Sequence, residues 1–107
     1  MPIQTRYVLS AAMDVEPGKD AIFNEVYDND HIRLLRQVPG VVSVARFRTE
    51  QLTLVIGGER RTIVVDNEPA YRALWEIESP DVLVSEDWAK GPFTTNRRFT
   101  LHRRIYP

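Results

Sequence analysis

The sequence predicts an α+β domain in which two helices cover one face of an antiparallel sheet, in the order β-α-β-β-α-β. Strand-like and helix-like apolar spacings follow one another along the chain in that order. A length of 107 residues suits one hydrophobic core, so a single domain over 1–107 is expected. A hydrophobic content of 43% and a formal net charge of -1 are ordinary for a globular protein.

The first strand and helix are indicated by the segment from Arg6 to Met13 and by the residues after it. That segment is mostly apolar, which suits a buried strand. Pro17 is expected at the first position of a helix, where its missing N–H costs nothing. Apolar residues then recur every three or four positions, until Pro39 and Gly40 should end the helix near residue 37.

A second strand and an additional hairpin follow. Val41 to Arg48 is rich in β-branched residues and predicts a strand. Residues 50–66 contain two apolar runs separated by Gly57-Gly58, which indicates a β-hairpin inserted between the second and third strands. Because a lone hairpin is only marginally stable in water, we expect it to pack on something, a partner subunit being one candidate.

The last three elements are indicated by alternation and capping signals. Ala70 to Glu78 alternates apolar and charged residues, as a half-buried strand does. Ser79-Pro80-Asp81 combines a hydroxyl cap, a proline and an acid, which is typical of a helix start. Arg98 to Tyr106 predicts the final strand.

The face of the sheet away from the helices also carries apolar residues. In the first strand the two alternating sets are Tyr7, Leu9, Ala11 and Met13 against Val8 and Ala12, and in the second they are Val41, Ala45 and Phe47 against Val42 and Val44. Two helices cannot cover both faces, so the open face is expected to bind a second copy and form a homodimer. The alternative is a monomer with a partly apolar solvent face.

Several function classes are disfavoured. No cysteine is present, which excludes disulfides and thiolate chemistry. No basic run interleaved with aromatics indicates a nucleic-acid partner. No apolar run reaches membrane-spanning length and no signal-peptide pattern opens the sequence, so a cytoplasmic protein without membrane association is expected.

The first helix carries the candidate catalytic residues. Asn24, Tyr27, Asp28 and His31 fall within about 100° of one another on a helical wheel, beside the apolar stripe. His31 could act as a general acid or base near neutral pH, with Asp28 accepting from its ring. Tyr27 and Asn24 could position or polarise a bound oxygen. The alternative is a half-buried structural histidine bonded to a carbonyl or to Asp28.

The sequence offers two further kinds of candidate site, a metal site and aromatic ligand contacts. Asp28, Asp30 and His31 could be metal ligands, but the aspartates lie on different helix faces and no second histidine is near, so no metal is expected. Tyr7, Trp75 and Trp88 are aromatic candidates for contact with a ligand, although such residues more often belong to a core.

The pattern F-N-x-x-Y-x-x-x-H, with Phe23, Asn24, Tyr27 and His31, together with V-P-G-V-V-S-V-A-R-F from Val38 to Phe47, resembles the EthD-like family of the dimeric α/β-barrel superfamily. Its later half is similar to Y-x-A-L-W-E-I-E-S-P-D from Tyr71 to Asp81 and to the region of Trp88, Gly91, Pro92, Phe93 and Thr94. Residues 52–65 depart from the family as an insertion.

The resemblance implies a ferredoxin-like protomer, a barrel formed across a dimer, and a cavity between sheet and helices. The family's first-helix histidine, aromatic residue and asparagine correspond to His31, Tyr27 and Asn24. Relatives in this superfamily include cofactor-free monooxygenases, polyketide cyclases, lactone isomerases and haem-degrading enzymes, as well as members without an assigned activity. Fold analogy does not choose among these reactions.

Three functions are therefore compatible with the sequence. The first is a cofactor-independent enzyme, of isomerase, cyclase, lyase or monooxygenase type, acting on a small aromatic, lactone or polyketide-like compound with His31 as general acid/base. The second is a non-catalytic ligand-binding or accessory protein of a catabolic pathway. The third is a dimer without a cavity, whose function lies in contacts made by the hairpin.

Overall fold

The structure, a computed structural model, describes residues 3–64, 66–91 and 98–105. The strands are β1 (Tyr7–Met13), β2 (Val41–Arg48), β3 (Leu52–Ile56), β4 (Glu59–Ile63), β5 (Tyr71–Ile77) and β6 (Arg98–Arg103). The helical segments are α1 (Asp20–Val26), a π-helical turn (Tyr27–His31), α2 (Ile32–Leu35), a 3-10 helix (Pro80–Val84) and α3 (Glu86–Ala89).

The main sheet has four strands in the order β2-β5-β1-β6, and every neighbouring pair is antiparallel. One face of this sheet meets both helical regions in a single buried cluster. Its members are Leu9, Ala11, Met13, Tyr27, Leu35, Val38, Tyr71, Ala73, Trp75, Ile77, Val82 and Trp88. The predicted α+β arrangement, with helices on one face of an antiparallel sheet, is confirmed.

The first helical region begins later than predicted. Pro17 lies in a turn with Gly18, whose φ of 82° is incompatible with a helix, and α1 starts at Asp20. The helix then runs through the π-helical turn to Leu35, two residues before the predicted end.

The second helical region is divided rather than continuous. Ser79 caps the 3-10 helix as predicted, since its Oγ accepts from the Asp81 N–H at 3.2 Å. Ser85 then adopts an extended backbone and caps α3 by accepting from the Trp88 N–H at 3.2 Å. The second serine therefore ends one helix and starts another.

A β-bulge changes which side chains of β2 face the helices. The register on β5 shifts between Val41 and Ser43, so Val41 joins Val44 against the core. The prediction that Val41 shares a face with Ala45 and Phe47 was wrong, because one extra residue reverses the alternation.

Strands β3 and β4 form a separate two-stranded sheet joined by Gly57 and Gly58. Both glycines have positive φ, 59° and 81°, as a two-residue hairpin turn requires. The hairpin therefore has the turn and strands that its sequence predicts. The final strand ends at Arg103, earlier than predicted, because Arg104 and Ile105 are described and are not part of it. Tyr106, and Pro92 to Thr94 of the second half, lie outside the described residues.

Across the described ranges, no helix combines the length and apolar character needed to cross a lipid bilayer.

Candidate functional site

The π-helical turn contains three of the predicted site residues, Tyr27, Asp28 and His31. Tyr27 is 1% exposed and belongs to the core, whereas His31 is half-buried at the other end of the turn. Their ring centroids lie 5.0 Å apart. Single π-helical turns occur frequently at functional sites, because the wider turn displaces side chains from their regular positions.

Asn24 and Asp28 lie side by side, as the helical spacing predicts, and both bind Arg46 of β2. Arg46 Nη1 donates to Asp28 Oδ1 at 2.7 Å, and Arg46 Nη2 donates to Asn24 Oδ1 at 2.8 Å. The Asp28 carboxylate thus forms a charge-assisted hydrogen bond with the Arg46 guanidinium, which is the stronger class of hydrogen bond in proteins.

Three aromatic rings surround the Arg46 guanidinium. Its carbon lies 4.6 Å from the ring centroid of Tyr27, 5.4 Å from that of Phe23 and 5.8 Å from that of Tyr71. Cations are attracted to the faces of aromatic rings at such distances. Only 16% of the Arg46 side chain is exposed, so its charge lies at the boundary between core and solvent.

A cavity of about 280 Å³ opens beside this guanidinium. Its walls are Asn24, Arg46, Phe47, Arg48 and Tyr71. The Tyr71 hydroxyl donates to Asp20 Oδ2 at 2.6 Å, which fixes the ring at the cavity wall. A guanidinium has five N–H groups, of which Asn24 and Asp28 engage two. Arg46 therefore retains donors for a bound molecule or for water.

The other predicted aromatic residues lie in or against the core. Trp75 is 1% exposed and packs edge-on against Trp88, with centroids 5.9 Å apart and ring planes at 90°. Tyr7 is partly buried against the same cluster. None of the three is among the walls of the Arg46 cavity.

The open face of the sheet contains a second hollow, of about 310 Å³. Its lining is Ile3, Thr5, Arg6, Val8, Leu74, His102, Arg103 and Arg104. His102, which lies opposite Val8 in the register, is therefore on the open face and far from the helical histidine in the fold.

Glu76 is buried beside this hollow, with 7% of its surface exposed. Its carboxylate accepts from the Gln4 N–H at 2.5 Å, from the Thr5 N–H at 3.2 Å and from the Ser43 hydroxyl. Burial alone raises the pKa of Glu76, but the hydrogen bonds from Ser43, Gln4 and Thr5 outweigh burial and hold the pKa below its ordinary value of 4.5. The carboxylate ties residues 4–5 and β2 to β5.

Sequence reasoning missed Arg46, which organises this site. The available signal was the position of Arg46 in a mostly apolar strand, two residues after the core-facing Val44 and therefore on the same face. An arginine on the core side of a strand requires an acidic or aromatic partner. The partners came from the first helix, which strand periodicity cannot reveal.

A cluster of three or more His, Asp or Glu side chains placed to hold a metal ion does not occur in the described part of the chain.

Comparisons with known proteins bear on the fold. The chain matches the crystal structure of an EthD (ethyl tert-butyl ether D) family protein from Bacillus halodurans C-125 with a TM-score of 0.58. The match covers 92% of this chain and 98% of the other. This chain has the fold of an EthD-family protein. The resemblance predicted from the sequence motifs is therefore confirmed for the fold.

Sequence identity to that protein is 14%, so the likeness concerns the fold and not the chemistry. Neither the family models nor the curated proteins give a match to this sequence.

Proposed function

We propose that this protein binds a small organic molecule in the cavity beside Arg46. The observation that carries this proposal is a mostly buried guanidinium, flanked by aromatic rings, that still has N–H donors at the wall of a 280 Å³ cavity. Ligand sites in proteins typically combine apolar or aromatic walls with a few placed polar groups. The EthD-like fold supports the same assignment.

The lining favours a planar ligand that carries a carbonyl or carboxylate oxygen. Arg46 would donate to that oxygen, and the Tyr71 ring would contact the ligand body. A small aromatic, lactone or polyketide-like compound has these features.

The binding proposal is tested with a panel of aromatic carboxylates, lactones and aromatic diketones, screened by thermal shift and measured by calorimetry. Arg46→Gln should weaken binding of any hit by about 10- to 100-fold, the usual effect of losing a charged hydrogen bond. Arg33→Gln removes the same charge from an exposed helix position and should leave binding unchanged. Equal affinity for wild type and Arg46→Gln would reject this cavity as the site.

A second candidate function is cofactor-independent catalysis, with His31 as general acid/base and Tyr27 beside it. This function is favoured by the position of the half-buried His31 ring, whose centroid lies 5.0 Å from that of Tyr27 in the π-helical turn. The helix that precedes this turn also supplies Asn24 to the cavity wall. The non-catalytic alternative is favoured by the cavity lining, which includes Asn24 but not His31.

His31→Ala separates these two functions. Catalysis by His31 requires that turnover is lost while ligand affinity and the thermal midpoint are retained. Saturable binding without product formation by wild type, over the whole panel, would support a non-catalytic accessory protein. Full turnover in His31→Ala would remove His31 from the mechanism.

We further propose that the open face of the main sheet joins two copies into a dimeric α/β barrel. The second hollow would then be enclosed between the two sheets. Ala45→Lys places a charge at an exposed position of that face, opposite Leu74, and should dissociate the dimer in sedimentation equilibrium. Ala21→Lys, on the exposed side of α1, is the matched control. A monomeric wild-type protein would contradict the proposal.

A further inference from the structure

The β3–β4 hairpin, called the arm below (residues 50–64), stands away from the rest of its chain. Its strands pair with each other and make no extensive contact with another described helix or strand. The molecule extends 50 × 41 × 21 Å with a radius of gyration of 15.9 Å, whereas a compact chain of this length has about 13 Å. The arm therefore lacks the packing that normally stabilises a hairpin.

The strand register divides the arm into two unlike faces. One face carries Leu52, Leu54, Ile56 and Ile63, together with Arg61 and Glu59. The other carries Val55, Arg60 and the hydrogen-bonded pair Thr53 and Thr62, whose oxygens are 3.0 Å apart. The first of these is called the apolar arm face.

The charges on the apolar arm face compensate each other. Arg61 Nη2 lies 3.1 Å from Glu59 Oε2, so the face is neutral. A neutral face avoids the like-charge repulsion that a charged patch meets when it approaches its own copy around a two-fold axis.

The uncovered area suits a homodimer. Leu52, Ile56 and Ile63 are about half exposed and leave roughly 80–90 Å² each uncovered, and the partly buried Leu54 leaves less, so this face leaves about 300 Å². In a symmetric dimer both arm faces are buried, each against an equal area of the partner, so the total buried area is roughly 1,200 Å². This value is at the lower end of stable specific interfaces.

The open face of β2 also carries exposed apolar surface close in sequence to the arm. Phe47, on the open face of β2, is 52% exposed and precedes the arm by a few residues. Thr49 anchors the base of the arm, because its N–H donates to the Ala70 carbonyl at 2.8 Å and its hydroxyl to the Pro69 carbonyl at 2.6 Å. The arm thus leaves the sheet from a fixed point next to the open face.

From these observations we infer that the arm reaches onto a second copy of this chain and packs there through its apolar face. This inference rests on the proposed homodimer and extends its interface beyond the sheet. The arm would then be covered in the assembly on the one face that carries the Leu and Ile side chains.

The test is the dimer dissociation constant of arm variants, measured by sedimentation equilibrium on the full chain. Ile56→Thr combined with Ile63→Thr keeps β-branched residues, and hence the hairpin, while removing apolar surface from the apolar arm face. The dissociation constant should rise at least tenfold. Val55→Thr changes the opposite face at a side chain that is 68% exposed, and it should change the constant less than twofold.

Hydrogen exchange supplies a second readout that does not depend on variants. The amides of β3 and β4 should exchange more slowly above the dissociation concentration than below it, because only the dimer covers the arm. Exchange that is independent of concentration, in a protein that dimerises over that range, would overturn the inference.

Comparison with Ala45→Lys distinguishes the contribution of the arm to dimerisation from that of the open face. If Ala45→Lys dissociates the dimer and the double arm variant does not, the arm inference fails and the open-face dimer stands. If the arm variant alone dissociates it, the arm inference stands and the open-face proposal fails. A wild-type chain that stays monomeric overturns both, while ligand binding at Arg46 is measured independently.

Discussion

Arg46 and Glu76 are charged residues on neighbouring strands, yet they lie on opposite faces of the sheet and have different surroundings. Glu76 accepts from two backbone amides and a serine hydroxyl that its own chain supplies, and it is 7% exposed. Arg46 is held by Asn24 and Asp28 and has donors left over beside a cavity. The carboxylate is enclosed by its chain, whereas the guanidinium adjoins open space.

This difference separates a structural charge from a candidate binding charge. A buried charge whose hydrogen bonds are all internal stabilises the fold and has little to offer a ligand. A charge that is held in place by some of its bonds, with others directed at a cavity, is oriented in advance for a ligand. The two roles predict different effects on stability, a large loss when Glu76 is substituted and a small one when Arg46 is substituted.

The largest effect is expected for Glu76→Gln. The substitution keeps the side-chain shape but removes the charge that strengthens the bonds from Gln4, Thr5 and Ser43, so the free energy of unfolding should fall by about 2–3 kcal/mol. Urea denaturation measures this change. Glu78→Gln, at an exposed neighbouring position, should have no measurable effect. Equal stabilities for the two variants would contradict a structural role for Glu76.

A related prediction concerns pH. The pKa of Glu76 is lower in the folded protein than its ordinary value of 4.5, so the folded state releases this proton more readily than the unfolded state does. The contribution of Glu76 to stability is therefore fully present above pH 4.5 and is lost as the pH falls through the folded-state pKa.

Thermal unfolding of wild type and Glu76→Gln from pH 3 to pH 7 tests this prediction. The difference between their midpoints should be constant near neutral pH and shrink in acid. A midpoint difference that grows on acidification would mean that folding raises the pKa of Glu76, and it would contradict this prediction.

The smallest effect on stability is expected for Arg46→Gln. Its ion-pair partner Asp28 has a side chain that is 56% exposed and can return to water, so the loss should be about 1 kcal/mol or less, including the contacts with the aromatic rings. Urea denaturation again provides the measurement. A loss as large as that of Glu76→Gln would make Arg46 a structural residue and weaken the binding proposal.

The parts of this protein that could be predicted from sequence are those governed by local spacing. β2 was predicted with its observed bounds, and the Ser79 cap and the glycine turn of the arm follow from residue preferences at adjacent positions. The proximity of Asn24 and Asp28 also follows from helical periodicity alone. In each case the interacting residues are close in sequence.

The errors occurred where a single residue alters the local geometry. Gly18 delayed the start of α1, the bulge after Val41 reversed the facing of one side chain, and Ser85 divided the second helix. Each of these differences depends on the backbone conformation at one residue, which the regular spacing of apolar residues does not reveal. The sequence pattern still gives the correct element in every one of these regions, with shifted bounds or facing.

The sequence by itself determined the order of the strands and helices, the fold they resemble, and the presence of polar residues on the first helix. Only the tertiary structure decided that Asp28 pairs with Arg46, that Trp75 packs on Trp88, and that Glu76 holds residues 4–5. These contacts join residues far apart in the chain, and their partners depend on the order in which the strands are assembled. Helix and strand periods specify which face a side chain occupies, but not which distant residue lies opposite.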